Sequence, residues 1–146
     1  MNFWHIASTF FFIGKSPIAP GSLASLITLF LWLFVPLNHL LQFLTLTSLF
    51  FIGIIASKKI ATKMNQKDPS EIVIDEVVGM GITLFMLPHE IILYVIGFIT
   101  FRIFDIFKPS FIYTIQKLPY GWGIMLDDVI SGIFAWLICQ GISSIL

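Results

Sequence analysis

Charge and cysteine are what this 146-residue chain has least of. Asp, Glu, Lys and Arg make up only 11% of it and balance to a formal net charge of zero. Bulk charge therefore says nothing about nucleic acid or acidic partners, and no nucleic-acid partner is expected. The one cysteine, Cys139, sits in an apolar run with Trp136, Leu137 and Ile138, which excludes a disulfide framework and a thiolate metal site. Histidine occurs three times, at His5, His39 and His89, and no two are spaced as a ligand pair. There is no Pro/Ser-rich linker, charge run or internal repeat, so residues 1–146 are read as a single domain. The opening Met1-Asn2-Phe3-Trp4-His5 has neither a basic leader nor a cleavage site, and is expected to stay as a short interfacial segment.

In place of charge there is hydrocarbon. Hydrophobic residues make up 58% of the chain, and the mean hydropathy is +0.98, far outside the range of a soluble domain. The expected fold class is all-α, an integral membrane bundle of about five helices, because lipid leaves backbone groups no partners except those inside a helix or a closed barrel. Apolar runs broken by Pro36, Asn38 and His39 give helices at 22–36 and 40–64, a helical hairpin. Asp68-Pro69-Ser70-Glu71 has the spacing of a helix start, an acid cap followed by proline and then glutamate three residues past the cap, which predicts a helix over 69–87. Pro88 turns the chain into 90–107, Pro109 opens a loop over 108–125, and a last helix runs 126–145. Several of these fall short of the roughly 20 apolar residues of a full span, so their charged ends must lie at the headgroups or in a cavity.

The few charges are not scattered. Lys15, Lys58, Lys59, Lys63, Lys67, Arg102, Lys108 and Lys117 all fall on one side of this topology, the cytoplasmic one by the positive-inside bias. Asp68, Glu71, Asp75, Glu76, Asp105, Asp127 and Asp128 lie there too, leaving Glu90 at the opposite end. Glu71 and Asp75 are four apart on one helix face, with Glu76 beside them, and Asp127-Asp128 opens the last helix. Carboxylates this close repel unless a cation binds or one is protonated. Hard oxygen donors without histidine or thiolate suit Mg2+. A metal on Glu71, Asp75, Glu76, Asp127 and Asp128 can polarise a phosphoryl oxygen and activate water. Asp105, with Asp75 and Asp128, is then a candidate for the chemistry, as ligand or base. Arg102 and Lys108 are candidates to hold phosphate. The helix start at Pro20-Gly21-Ser22 adds amides aimed at the same side. Taken singly, Glu71 and Asp127 also read as dipole partners and Ser22 as a plain cap.

Four stretches carry a resemblance. Pro17-Ile18-Ala19-Pro20-Gly21-Ser22, Asp68 to Met80 with its Ile74-Asp75-Glu76 centre, Phe101-Arg102-Ile103-Phe104-Asp105-Ile106-Phe107-Lys108-Pro109, and Gly121 to Gly132 with Asp127-Asp128 are, in this order, similar to the signatures of the phosphatidylglycerophosphatase A family. The family pattern has threonine where this chain has Ser22 and glycine where it has Ala24 and Ser131. The resemblance implies a magnesium-dependent, multi-pass enzyme of the bacterial inner membrane, its active face cytoplasmic. It implies hydrolysis of the phosphomonoester of phosphatidylglycerol phosphate to phosphatidylglycerol, a step of phospholipid biosynthesis.

Other phosphatase chemistries lack their parts. Cys139 has no arginine six residues on, no paired Arg/His motifs occur, and no two aspartates stand as D-x-D. The competing class is a small cation transporter or channel, which needs acids at several depths of the membrane. An inactive structural subunit is a third reading, under which the acids tolerate alanine.

Overall fold

The computed structural model describes residues 2–146, and Met1 of the expected interfacial segment lies outside them. Among the described residues there are seven α-helices and no strand. They are α1 (Phe3–Ser8), α2 (Pro20–Trp32), α3 (His39–Met64), α4 (Ile74–Thr83), α5 (Ile91–Phe107), α6 (Ser110–Ile115) and α7 (Gly121–Ser143), with a 3-10 turn at Ile13–Lys15. The all-α class stands, and the count of five rises to seven through the six-residue α1 and α6. The loop expected over 108–125 is broken up accordingly: Pro109 directly precedes α6, a position that suits its fixed φ and missing N–H.

Two helices, α3 with 26 residues and α7 with 23, are long and apolar enough to cross a membrane. Asn38 caps α3 by accepting from the Leu41 amide at 2.9 Å, and Asn65 ends it in the left-handed conformation, the residue type that tolerates it best after glycine. The short α4 is the hub. It packs most extensively on α7 and also touches α2, α3 and α5. The contact with α7 is close because Gly79 and Gly132 meet there: a Cβ on Gly132 would run into the Gly79 carbonyl, so small residues let the two backbones touch. One apolar cluster, with Ile54, Val73, Val77 and Met125, lies toward the charged end. A second, with Trp32, Leu84, Tyr94 and Cys139, fills the other half. Outside, apolar side chains such as Phe34, Phe43, Ile91 and Ile92 remain exposed.

Two helix starts depart from the sequence expectation. The predicted helix over 69–87 begins only at Ile74 and ends at Thr83, because Pro69 to Ile72 closes a turn, Ile72 N–H donating to Pro69 C=O at 3.0 Å. Val73 N–H then donates to Ser8 C=O at 2.9 Å, tying the segment to α1 while Ile72 and Val73 are buried in the core. Burial and a tertiary hydrogen bond outweigh the local capping signal. Conversely α7 starts at Gly121, not 126. Its glycines are there for proximity: a Cβ on Gly121 would strike the Ile54 carbonyl, and one on Gly123 would lie 2.6 Å from the carbonyls of Gln116 and Leu118.

Candidate active site

Three helix segments bring their acids together at one end of the bundle. Asp75 and Glu76 occupy the first turn of α4, Asp105 the last turn of α5, and Asp127 and Asp128 the second turn of α7. Asp127 and Asp128 are 2% exposed, Asp75 and Asp105 8%. Oxygens of Asp75, Asp127 and Asp128 lie within 4.8 Å of one another, and so do oxygens of Glu76, Asp105 and Asp128. Asp128 belongs to both sets.

Some of these charges are answered from within the chain. Arg102, one turn before Asp105 on α5, donates to Asp105 Oδ2. Lys108, just past the end of α5, donates to Asp127 Oδ2 and stands 3.8 Å from Asp105 Oδ1. Burial alone would lower the Lys108 ammonium, but Asp127, with Asp128 and Asp105 behind it, outweighs burial and pushes it above its usual range. Asp127 is held further by the Asp128 amide, which donates to its Oδ1 at 3.0 Å.

Other oxygens are left over. Asp75 Oδ1, Glu76 Oε2 and Asp128 Oδ2 are buried with no hydrogen-bond partner. Buried carboxylate oxygens without donors are costly, and a divalent cation on this all-oxygen set is the partner that would satisfy several at once. The cluster opens on a cavity of about 320 Å³. Asp75, Glu76, Asp105 and Asp128 line one side with Arg102 and Lys108, and the start of α2, Pro20, Gly21 and Ser22, lines the other. Gly21 leaves room for the Glu76 carboxylate: a Cβ there would overlap Glu76 Oε1 and displace it. Ser22 is the third residue of α2, whose cap is Ala19 in the left-handed region, so the reading of Ser22 as the cap does not hold.

One expected ligand is elsewhere. Glu71 lies in the turn before α4 and faces His5, Oε2 to Nε2 at 3.7 Å, and it is not among the cavity's residues. Its inclusion rested on the helix starting at 69, which would have placed it one turn before Asp75 on the same face. The cavity also takes in two residues that the sequence reading had left in a cap, Asp68 and Ser70. Gln116 on the far side donates to Asp68 Oδ2 at 3.3 Å. Their adjacency to the α4 acids was the available signal.

Comparison with known proteins identifies the chain's relatives. A sequence model of the family described as phosphatidylglycerophosphatase A matches residues 6–143. The chain is 36% identical over 137 residues to phosphatidylglycerophosphatase A of Escherichia coli, covering 92% of this chain and 80% of that one. With phosphatidylglycerophosphatase A of Haemophilus influenzae it shares 35% over 142 residues, covering 94% and 87%. A Bacteroides thetaiotaomicron protein provisionally named a phosphatidylinositol-3-phosphatase is 37% identical over 142 residues, covering 91% and 89%. No solved structure matches. A match that runs through α2, α4, α5 and α7, and so through every element bearing the cavity's acids, makes this chain a member of the phosphatidylglycerophosphatase A family of enzymes.

Proposed function

We propose that the chain is a magnesium-dependent lipid phosphatase that hydrolyses the terminal phosphomonoester of phosphatidylglycerol phosphate, working at the cytoplasmic face of the bacterial inner membrane. The observation that carries this is the convergence of unpartnered carboxylate oxygens on Asp75, Glu76 and Asp128 with Arg102 and Lys108 in one cavity. Acids alone would repel a phosphomonoester, and bases alone would bind it without hydrolysis. The combination serves a dianion brought up to a cation site.

Asp75, Glu76, Asp127 and Asp128 would hold the metal, with Asp105 as a further ligand or as the base. When bound, Mg2+ supplies a Lewis acid toward the phosphoryl oxygens and lowers the pKa of water. Arg102 and Lys108 neutralise the phosphate oxygens that remain, each turning from its aspartate toward substrate. The first-turn amides of α2 face the same cavity and add donors without charge. Asp105, released from Arg102, can take the proton of the attacking water.

The Bacteroides relative keeps a second substrate in view, because a lipid inositol phosphate offers the same phosphomonoester on a bulkier headgroup. Purified protein is expected to release phosphate from phosphatidylglycerol phosphate with Mg2+ and to lose that activity in chelator or as Asp75→Asn. Activity that survives either treatment overturns the metal-site reading. Faster release from phosphatidylinositol 3-phosphate reassigns the headgroup while leaving the site in place.

A further inference from the structure

A separate cavity, of about 230 Å³, lies on the other side of the α4 lead-in, where α1 packs on α3 and the 3-10 turn contributes Lys15. It is lined by Asn2, His5, Phe12, Lys15, Lys59 and Lys63. None of these side chains is shared with the acid cavity. Lys59 and Lys63 are four apart on α3 and so point the same way, and Lys15 meets them from the 3-10 turn. Among the described residues no carboxylate comes within 4.0 Å of any of the three lysines. Glu71, the acid nearby, is turned to His5. Three exposed ammonium groups thus share one cavity without a direct carboxylate partner, a ready place for an anionic group.

We propose that this cavity is a binding site for the phosphodiester headgroup of an anionic phospholipid, separate from the site of hydrolysis. The chemistry beside the lysines favours a lipid over free phosphate. Lys59 Nζ lies 4.1 Å from the Trp4 ring centroid and Lys15 Nζ 5.5 Å from that of Phe12, so each ammonium borders an aromatic surface. Phe3, Phe11 and Phe12 are exposed next to them, Phe11 at 73%. Phe10, Phe11 and Phe12 all have φ in the left-handed region, which turns the chain sharply there. A basic pocket rimmed by exposed aromatics matches an amphiphile, its phosphate on the lysines and its chains along the rings. Lysines that only mark membrane orientation need no common cavity. This site goes beyond the proposed activity and does not depend on it.

The test is lipid retention by the full-length protein in zwitterionic detergent, counted by native mass spectrometry. The probes are phosphatidylserine, which is anionic but is neither substrate nor product, phosphatidylcholine, and inorganic phosphate. The expected result is one retained phosphatidylserine, roughly thirtyfold weaker in the Lys59→Gln/Lys63→Gln variant, given the usual contribution of each lysine near an anionic surface. Lys117→Gln, elsewhere on the charged rim, should retain it as wild type does. Equal retention by the double variant, equal binding of phosphatidylcholine, or displacement of the lipid by millimolar phosphate overturns the proposal. Should the double variant fold poorly, Lys63→Glu alone must still weaken retention, and unchanged retention there is equally decisive.

Discussion

The two ends of the bundle both bury polar groups, and they treat them in opposite ways. At the end near Pro36 and Pro88, Gln42 is fully buried, donating to Pro36 C=O at 3.0 Å and accepting from Met86 N–H at 2.9 Å. Trp136 closes the same end by donating to Phe85 C=O at 2.8 Å. The groups left over in that half, Trp32 Nε1 and the Tyr94 hydroxyl, are neutral and stand singly. At the other end five atoms are left over, Arg102 Nε, His5 Nε2 and the carboxylate oxygens of Asp75, Glu76 and Asp128, and the three acids stand together. Satisfied polar groups lock a fold, whereas adjacent unsatisfied anions weaken it and persist where a ligand completes them. That difference separates the structural end from the proposed chemical one more sharply than burial does, because both are buried.

The comparison breaks most easily by substitution at each end. Asp128→Asn, in the residue common to both acid sets, is expected to lower phosphate release by about 10³-fold while raising stability in chelator by about 2 kcal/mol, since a buried repulsive charge is gone. Gln42→Leu should do the reverse, costing about 2 kcal/mol through the stranded Met86 N–H and Pro36 C=O with activity kept within a factor of about two. Initial rates and denaturant melts on the same preparations decide it. A destabilised Asp128→Asn with a neutral Gln42→Leu would reverse the assignment of the two ends.

Cation binding sharpens the same contrast. Mg2+ at a hundred times its dissociation constant should stabilise the wild-type protein by about 2.7 kcal/mol, and should leave Asp75→Asn/Asp128→Asn unmoved. Thermal melts with and without Mg2+ read this directly. A shift that survives the double substitution would put the cation somewhere other than the acid cavity.

Two glycines give effects of opposite kind. Gly132→Ala drives a methyl into the Gly79 backbone carbonyl, which cannot move without parting α4 from α7, and is expected to cost about 3 kcal/mol. Gly21→Ala meets the end of the Glu76 side chain instead. That carboxylate can swing away, so stability should change by less than about 1 kcal/mol while activity falls roughly tenfold as Glu76 leaves its place. Melts and rates measured side by side separate a packing glycine from one set against the site.

Much of this was legible in the sequence wherever composition and spacing act locally. The helical class, the long α3 and the gathering of acids from residues 75–76, 105 and 127–128 follow from apolar runs and from charges too costly to bury idly. Starts and short elements were not legible. The Asp68-Pro69-Ser70-Glu71 pattern is a sound cap signal, yet Val73 N–H finds its partner on Ser8, far back in sequence, and no local rule contains that contact. Gly121 and Gly123 fall in the expected 108–125 loop because what they approach, the carbonyls of Ile54, Gln116 and Leu118, is visible only in three dimensions. The six-residue α1 and α6 are too short for periodicity to show.

The smallest effect tests the consequence of that misplaced start. If α4 began at 69, Glu71 would stand one turn ahead of Asp75 and join the cation site, and Glu71→Gln would cost activity on the scale of the other acids. With α4 beginning at Ile74, Glu71 faces His5 at 3.7 Å and is partly exposed. The pair is then a long, half-buried contact that is ionic only when His5 is protonated, worth about 1 kcal/mol at most. Glu71→Gln is therefore expected to keep phosphate release within a factor of about three and to leave the Mg2+-dependent stabilisation intact. A hundredfold loss together with weakened Mg2+ stabilisation would return Glu71 to the cluster and extend the chemical end of the bundle by a turn.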